Sequence, residues 1–485
     1  MNYCSNNAST QAVVTVALVD NIQPFFWQRS CWSLHSVAFR RGLLRTLKVG
    51  SEPNKGSREL SREPHAQSAI SGRDTHWLTT SYKTWPLGPD SKLRLYHLTL
   101  IDYTPFLHDH RLQDLTEIMT TAPTKSTGLY ANENGKVVLH DLPVPQPEDD
   151  ELLIKVLYSG VNLSDVRALG FFGLKNHPVG QEFCGEVLES RNLAETPFKA
   201  GDIVAGYVIA GYVIAGKTRP PRYATHQEYM DVPPSWFFKV PDHIPPHAAA
   251  ALPVVVQTAN DTLFNRLRIP LPPSVTTPAE STSAPEGTLV IWGEGATGVG
   301  MAAIQLARAS RVPSIVAIAS TRRHDFLKTL GATQCFDYHD ADVVDKVKAA
   351  LKKTKGTIWG FDALGSVADP VSQDILASAI PPHDKVRLAT VLVVPQDGFE
   401  MTIAGRHYQV DLDLPDGTKL VFPKDLVAAD RMWRALGWVV EHYGAENVPT
   451  PVRVFDRPGK DAVDELYGMQ KMDNFGKVVL KHPLN

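Results

Sequence analysis

The glycine-rich stretch from Thr288 to Gly300 has the residue types and spacing of a dinucleotide site. An apolar run, Leu289–Trp292, precedes three glycines at G-x-G-x-x-G spacing, and an alanine-rich run typical of a helix follows. Glycine lets the backbone turn tightly and approach a pyrophosphate, and a helix N-terminus supplies free N–H groups. The alternative is a glycine loop that only packs, but the flanking strand and helix favour binding. The residues predicted to hold the pyrophosphate are Gly293, Gly295, Ala296, Thr297, Gly298 and Val299.

The end of a second apolar run, Ser314–Ala319, indicates which dinucleotide would bind. An NAD site carries an acidic residue about 20 residues after the glycines, where it binds the ribose 2′-hydroxyl. This chain instead has Ser320, Thr321, Arg322 and Arg323. A guanidinium group binds a 2′-phosphate through paired hydrogen bonds, whereas a carboxylate repels it. We therefore predict NADPH as the cofactor; the alternative is a solvated, basic start of a helix.

Composition limits the classes of protein that need to be considered. A chain of 485 residues with 43% hydrophobic content can form two domains plus an extension. Its net charge of −3 gives no reason to expect nucleic acid or an anionic membrane as a partner. No apolar run approaches the roughly 18 residues of a membrane-spanning helix. The cysteines are scattered without metal-ligand spacing, which suits a reducing compartment; they are Cys4, Cys31, Cys184 and Cys335.

Residues 1–118 differ in character from the rest of the chain. They lack sustained periodicity, and residues 51–73 are polar and rich in turn-forming types, so we expect poor order there. Residues 36–48 are basic and poor in acidic residues, which would suit a mitochondrial transit peptide. A simpler interpretation is that the functional protein begins at Met119 and that the extension is an artefact of the gene model. The predicted location is cytoplasmic, or mitochondrial if the extension is real.

Residues 119–255 are predicted to form a small barrel-like β domain, because short strand-like runs alternate with Pro and Gly turns. Within it, the five residues GYVIA occur twice in tandem, at 206–210 and 211–215. Five extra residues would lengthen a hairpin, or invert the facing of side chains if forced into one strand. The strand candidates are Lys136–Leu139, Glu151–Ser159, Gly185–Leu188, Asp202–Ala205 and Glu228–Val232.

Residues 256–440 are predicted to form a doubly wound parallel sheet, so the fold class is α/β. A helix over residues 247–264 should join the two domains, and residues 269–286, rich in Pro, Ser and Thr, should form a surface loop. Further buried strands are expected at Thr357–Ala363 and Leu388–Val394. Residues 441–485, which include the strand-like run Gly476–Lys481, should return to the β domain.

Several short motifs follow one another along residues 125–485. They are Gly160–Asp165 (GVNLSD), Gly180–Val187 (GQEFCGEV), Gly201–Val204 (GDIV), Ala251–Pro253 (ALP), the glycine turn and Leu330–Ala332 (LGA). In this order they resemble those of medium-chain dehydrogenases/reductases. The resemblance implies a discontinuous GroES-like β domain closed by C-terminal strands, a Rossmann domain within it, and an active site in the cleft between them.

The same resemblance bears on metal content. Zinc alcohol dehydrogenases of this superfamily have Cys where this chain has Asn162, and a His-Glu pair where it has Gln181-Glu182. Catalytic zinc needs three protein ligands and an open position, and amides are poor zinc ligands. We therefore expect a zinc-independent enzyme. Alcohol oxidation is then difficult, and hydride addition to a C=C bond conjugated with a carbonyl is the expected chemistry.

Within the superfamily, the motifs Val290–Gly293 (VIWG), Phe336–Tyr338 (FDY) and Phe361–Gly365 (FDALG) resemble those of trans-acting enoyl reductases of fungal polyketide synthases. The resemblance implies that NADPH delivers hydride to the β carbon of an enoyl thioester, after which the α carbon takes a proton. The family pattern Asn-x-x-Asp-x-Lys is represented here by Asn162, Asp165 and Arg167. Arg keeps the charge of Lys but not its geometry as a donor.

The resemblance also implies roles for individual residues. Asn162 and Arg167 are candidates for the cleft, and Thr258 for the nicotinamide edge or the enoyl carbonyl. Leu364 should lie beside the nicotinamide. The alternatives are a Thr258 bonded to its own helix and a Leu364 that belongs to the core. The residues expected around the 2′-phosphate are Ser320, Arg322, Arg323 and Tyr338, of which Tyr338 could instead be a strand-end tyrosine.

Three functions are compatible with these features. The first is reduction of a carrier-bound enoyl thioester, with a polyketide synthase as partner. The second is reduction of free quinones or enones, and a fatty-acid enoyl reductase is a variant that needs a genuine transit peptide. The third is a catalytically silent NADPH-binding protein. The chain is expected to be a monomer or a homodimer.

Overall fold

The computed structural model divides into two compact units, Met1–Ala122 and Pro123–Asn485. In the first unit the structure describes three strands by their backbone: β1 (Ala12–Val19), β2 (His76–Gly88) and β3 (Ser91–Asp102), which pair in the order β1-β3-β2. The expectation of poor order elsewhere in residues 1–118 lies outside the described residues. The described ranges of the second unit are 125–173, 175–188, 190, 193–208, 213–214, 217–218, 223–280, 283–293, 297–413, 417–469 and 475–484.

Residues after 280 build a six-stranded parallel sheet in the order β16-β15-β14-β17-β18-β19. Every residue of its central strand β14 is buried, as expected where helices cover both faces of a parallel sheet. The strands are β14 (Gly287–Trp292), β15 (Ser314–Ile318), β16 (Gln334–Phe336), β17 (Thr357–Asp362), β18 (Val386–Thr390) and β19 (Phe399–Met401).

A second sheet holds the N-terminal β domain together with the last strand of the chain. Its order is β13-β9-β8-β6-β23-β22, and β12 pairs with β6. The strands are β6 (Leu152–Val161), β8 (Glu182–Val187), β9 (Ile203–Tyr207), β12 (Tyr229–Val232), β13 (Phe237–Lys239), β22 (Val452–Phe455) and β23 (Lys477–Lys481). Beside it lies a sheet of β4 (Lys125–Ala131), β5 (Val137–Pro143) and β7 (His177–Pro178), in the order β5-β4-β7.

The two GYVIA copies have different positions in the fold. Tyr207 of the first copy ends β9, whereas Val213–Ile214 of the second copy forms β10, which pairs with β20. The repeat therefore supplies a separate short strand of a four-stranded sheet. Its order is β11-β10-β20-β21, with β11 (Lys217–Thr218), β20 (Val410–Asp413) and β21 (Lys419–Phe422).

Helices cover the parallel sheet and connect it with the β domain. The segment expected as one helix over 247–264 is divided at Leu252, because Pro253 lacks an N–H and begins a new helix. The helices are α1 (Ser164–Phe172), α2 (Pro246–Ala249), α3 (Pro253–Asn260), α4 (Gly298–Ala309), α5 (His324–Leu330), α6 (Val343–Leu351), α7 (Ser372–Ala379), α8 (Leu426–Glu441) and α9 (Gly459–Gly468). A π-helix, Asp261–Arg266, continues α3. Among the described residues, no helix has the length and apolarity needed to cross a membrane.

The predicted strand Leu388–Val394 is too long. The observed β18 ends at Thr390, and the apolar residues from Val391 to Val394 line a cavity instead. An apolar run indicates that side chains avoid water, but it does not distinguish a strand in a core from a loop that lines a cavity.

Candidate active site

A cavity of about 790 Å³ lies between the parallel sheet and the β domain. The carboxyl ends of β14, β17 and β18 lead to its walls on one side, as expected for ligand sites in open α/β sheets. The sequence-predicted residues that line it are Asn162, Arg167, Thr258, Thr297, Gly298, Val299 and Leu364.

The glycine turn fits closely against the loop that follows β17. Gly293 has φ = +81°, and a Cβ atom built on it would lie 2.1 Å from Leu364 Cβ, so only glycine fits. Thr297 caps α4, because its Oγ1 accepts a hydrogen bond from Gly300 N at 3.1 Å. The first turn of α4 therefore borders the cavity, as a pyrophosphate site requires. The predicted contacts of Gly295 and Ala296 lie outside the described residues.

Asn162 is held in a buried polar cluster with Glu182 and Lys477. Lys477 Nζ lies 2.6 Å from Glu182 Oε1, 2.7 Å from Asn162 Oδ1 and 2.9 Å from Val161 O. Asn162 Nδ2 in turn donates to Glu182 Oε1 at 3.0 Å. An ammonium group has three N–H donors, so all the donors of Lys477 are used within the protein. The sequence prediction placed Asn162 in the cleft but did not include Lys477.

A chain of buried hydrogen bonds supports this cluster from behind. Asp165 Oδ2 accepts from Asn162 N at 2.7 Å and lies 3.1 Å from His226 Nε2. His226 Nδ1 lies 2.8 Å from Ser159 Oγ, which lies 2.7 Å from His482 Nε2. Burial, with a smaller effect of His226, lowers the pKa of His482 to about 3. The Ser-His-Asp order resembles a hydrolytic triad. Ser159 is fully buried, however, so this series of hydrogen bonds has a structural role.

Arg167 and the residues after β17 meet across the cavity. Arg167 Nη1 donates to Gly365 O at 3.2 Å, and desolvation lowers the pKa of its guanidinium group. The buried carboxylate of Asp362 holds the same loop by accepting from Leu364 N at 3.3 Å and Gly365 N at 3.2 Å. Ser372 and the hydroxyl of Thr390 also donate to Asp362. The position of Leu364 is therefore fixed from both sides.

Thr258 lies on α3, and its side-chain hydroxyl makes no hydrogen bond within the described residues. Its carbonyl oxygen accepts from Thr262 Oγ1 at 2.8 Å, but its own Oγ1 is not bonded back to the helix. The predicted alternative, a helix threonine bonded to its own backbone, is therefore not what the structure shows. This hydroxyl is available to a ligand in the cavity that Thr258 lines.

One end of the cavity is lined by apolar side chains. A buried ion pair fixes the wall there: Arg406 donates to Asp261 Oδ1 at 3.0 Å and Oδ2 at 2.7 Å, and Ile403 N donates to Asp261 Oδ2 at 2.9 Å. Separating Arg406 from Asp261 would leave a buried charge without its partner, which costs free energy, so the ion pair holds this wall in place. The apolar lining residues at this end are Val208, Val393, Val394, Met401, Ile403, Ala404 and Val410, which we call the apolar chamber.

The residues predicted around the 2′-phosphate lie at the carboxyl ends of β15 and β16 and do not line the cavity. Arg323 places its guanidinium carbon 3.8 Å from the centre of the Phe475 ring. Tyr338 is 45% exposed and lies against His339, with ring centres 4.0 Å apart. Ser320 precedes, and Arg322 lies within, the short 3₁₀ turn Thr321–Arg323 that leads into α5. The structure brings these residues to one edge of the sheet, but their contacts with a phosphate stay predictions.

The donor set does not fit a catalytic zinc ion. Asn162 and Gln181 offer amides, and the carboxylate of Glu182 is bonded to the Lys477 ammonium. Within the described residues, no group of three or more His, Cys, Asp or Glu side chains could hold a metal ion.

Tyr207 is a second cavity residue that the sequence prediction did not include. It is only 2% exposed, and its ring packs near those of Trp236 and Trp433, with ring centres 5.7 and 6.4 Å away. Burial, with a smaller effect of Asp261, raises the pKa of its phenol. The only sequence signal was its place at the end of the strand after Gly201-Asp202, which is too general to identify a site.

Comparison with known proteins places this fold in a family. Residues 148–242 match the alcohol dehydrogenase GroES-like domain, and residues 298–378 match the zinc-binding dehydrogenase domain. A zinc-type alcohol dehydrogenase-like protein of Schizosaccharomyces pombe is 28% identical over 274 residues, which are 54% of this chain and 75% of that protein. A trans-enoyl reductase of Aspergillus japonicus is 33% identical over 208 residues, which are 42% of this chain and 56% of the relative.

Solved structures agree with the fold. The CurK enoyl reductase superposes with a TM-score of 0.51 at 17% identity, over 74% of this chain and 99% of that one. A mycobacterial protein complexed with NADPH superposes with a TM-score of 0.52 at 20% identity, over 73% of this chain and 99% of that one. Identities this low bear on the fold alone. With its GroES-like domain, its parallel sheet and the order of its motifs, this chain has the fold of the medium-chain dehydrogenases/reductases.

Proposed function

We propose that this protein uses NADPH to reduce the C=C bond of an α,β-unsaturated thioester. The observation that carries the proposal is the composition of the cavity, which joins the glycine turn at the start of α4, a Thr258 hydroxyl without a hydrogen bond among the described residues, and an apolar chamber. Relatives named trans-enoyl reductases support the same chemistry. The matched segments span 56% and 62% of two such relatives, so the activity of the whole protein is inferred and not transferred.

Residues near the turn fit the cofactor. Thr297, Gly298 and Val299 would hold the pyrophosphate, Leu364 would border the nicotinamide, and Arg322 would bind the 2′-phosphate. Bound NADPH supplies the hydride that adds to the β carbon. We assign no step to a metal ion.

The chain's own groups then determine how the enoyl group is held. Thr258 donates a hydrogen bond to the thioester carbonyl, which stabilises the negative charge that develops there after hydride addition. The ion pair of Lys477 and Glu182 places a fixed, balanced pair of charges behind Asn162. Lys477 has no donor left for the substrate, so it acts as a positioning residue. The apolar chamber receives the acyl chain.

The proposed substrate in the cell is an enoyl group carried by a polyketide synthase. The support is the shared name of several relatives, including the trans-enoyl reductases of Aspergillus niger and Trichoderma harzianum. Free quinones and enones are the competing substrates, because the same cavity would admit them.

NADPH oxidation by the full-length protein tests the proposal, with crotonyl thioester and a simple quinone as parallel substrates. We expect turnover with the thioester, and a large loss in Thr258→Val. Thr329→Val is the matched control, because Thr329 is exposed on α5 and its hydroxyl donates only to Phe326 O within the same helix. Turnover with the quinone alone would replace the proposed function by quinone reduction. NADPH binding without any turnover would favour a catalytically silent protein.

A further inference from the structure

Reduction of an enoyl thioester needs a proton as well as a hydride, and most polar groups around the cavity are already committed. Lys477 has used its three donors, and Asn162 Nδ2 donates to Glu182 and Gly160. Ser164 Oγ donates to Gln181 Oε1 at 3.1 Å. None of these groups has a hydrogen free to give to a substrate without breaking a buried contact.

Further hydroxyl groups of the lining have hydrogen-bond partners within the protein, Thr297 and Ser366 as acceptors. Thr402 Oγ1 lies 2.9 Å from Thr262 Oγ1, Thr297 Oγ1 caps α4, and Ser366 Oγ accepts from Ala368 N at 3.2 Å. Within the described lining residues, Tyr207 and Thr258 are the two whose side-chain hydroxyls make no hydrogen bond. A buried hydroxyl without a partner in the protein requires an explanation, and a ligand in the cavity supplies one.

The strand register places Tyr207 beside the polar cluster. Tyr207 lies directly opposite Glu182 in the antiparallel pair of β8 and β9, and residues opposite one another project from the same face of a sheet. The Glu182 carboxylate holds Lys477 and Asn162 at the cavity. The phenol therefore lines the same cavity as the polar cluster, on the side of the sheet that carries Glu182.

The ring of Tyr207 is held in place by its aromatic neighbours. It is nearly parallel to the Trp433 indole, with 27° between the ring planes, and tilted by 32° from that of Trp236. Packing of this kind orients a donor without using its hydroxyl group. The burial that raises the phenol pKa also keeps the proton on the oxygen at neutral pH.

We propose that Tyr207 is the proton donor of the reaction; this rests on the proposed function. Hydride addition forms a C–H bond at the β carbon and moves the π electrons toward the carbonyl, which gives an enolate. The enolate takes the proton of the Tyr207 O–H at its α carbon, the C=O bond is restored, and a phenolate is left. Water that enters through the cavity mouth returns the proton. A thioester enolate is a stronger base than a phenolate, so the transfer is downhill even for a buried phenol.

Tyr207→Phe tests this, because it removes only a hydroxyl without a partner and keeps the ring. With crotonyl thioester, we expect kcat to fall by roughly a hundredfold while NADPH binding is unchanged. Turnover in D₂O gives a second readout. The wild-type product should carry deuterium at the α carbon in one configuration, and the variant product, protonated by water, should carry both.

Tyr229→Phe is the matched control, because Tyr229 is a buried tyrosine of the same sheet that does not line the cavity. It should leave both the rate and the configuration unchanged. A Tyr207→Phe enzyme with the wild-type rate and one α-carbon configuration would overturn the proposal, and so would a variant that no longer binds NADPH. If the wild type reduces no thioester, the proposed function has failed and this inference with it, and that result is seen before any variant is made.

Discussion

Lys477 Nζ lies 2.6 Å from Glu182 Oε1, and both side chains are almost completely buried, at 5% and 0% exposure. The two residues come from distant parts of the sequence, on β23 and β8, and meet where the cavity borders the nucleotide turn. A Cβ atom on Gly298 would lie 3.4 Å from the Lys477 side chain, so the ammonium stem also touches the start of α4. The pair therefore ties the β domain to the glycine turn.

Removal of one member of this pair should destabilise the protein strongly. Lys477→Met and Glu182→Gln each leave a buried partner without its counterpart, and we expect each to lower the free energy of unfolding by about 3–5 kcal/mol. The double variant should lose less than the sum of the single losses, because no uncompensated charge remains. Urea denaturation measures all three. Lys481→Met is the control: Lys481 is on β23 like Lys477, and its exposed pair with Asp456 should contribute only about 0–1 kcal/mol to the free energy of unfolding. If the losses of the two single variants at the buried pair simply add in the double variant, the proposed coupling is contradicted.

Arg322 should determine the preference for NADPH. If its guanidinium group binds the 2′-phosphate, Arg322→Ala should raise the Michaelis constant for NADPH roughly 10- to 100-fold, as loss of a charge-assisted hydrogen bond predicts. The constant for NADH should not change. Lys328→Ala, on the exposed side of α5, is the control for a general loss of positive charge. Equal effects on both cofactors would show that Arg322 does not recognise the phosphate.

The apolar chamber should make longer acyl chains better substrates. Each buried methylene contributes about 0.8 kcal/mol, so kcat/KM should rise about fourfold per methylene until the chamber is filled. Ala404→Phe places a ring in the chamber and should move the optimum to shorter chains, with crotonyl thioester little affected. Val421→Phe is the control, because Val421 is 55% exposed on β21. An unchanged optimum in Ala404→Phe would place the acyl chain elsewhere.

His482 should make stability depend on pH. Its pKa is about 3 in the folded protein and takes its ordinary value of 6.5 when unfolded. Above pH 6.5 both states hold a neutral imidazole and the contribution to stability is complete. As the pH falls below 6.5, His482 binds a proton in the unfolded state but not in the folded state, so the free energy of unfolding decreases. We expect about 2 kcal/mol of loss between pH 7 and pH 5 from this group.

Urea denaturation at the two pH values measures this loss. His482→Gln can keep a hydrogen bond to Ser159 and should flatten the dependence, whereas His383→Gln, at an exposed histidine, should not. An equal pH dependence in wild type and His482→Gln would contradict the assignment.

The sequence was sufficient to predict the parallel sheet and the glycine turn after β14, because both depend on local patterns. The apolar run 289–292 and the glycine at 293 report burial and positive φ within a few residues. The selection of Asn162 and Thr258 relied on motif order; both residues line the cavity, and their roles stay predictions. Their hydrogen bonds could not be anticipated, since the partner of Asn162 is a lysine more than three hundred residues away.

Lys477 and Tyr207 were missed for a physical reason. Both stand in strands, in the runs GKVVLK and IVAGY, where side chains alternate between faces and where the sequence does not say which face borders a cavity. The buried polar character of Lys477 appears only when β23 is paired with β6. The same limit explains the error at Leu388–Val394, where the cavity wall and the strand have the same apolar composition.

The late position of β23 in the chain has a consequence for synthesis on the ribosome. The segments that carry Asn162, Glu182 and the nucleotide turn emerge well before Lys477 does. Until β23 is added beside β6, Glu182 lacks its Lys477 partner and residues 158–161 of β6 have an unpaired edge. We expect the β domain to stay incompletely folded on the nascent chain, and its exposed edge to be a natural point for a chaperone to bind.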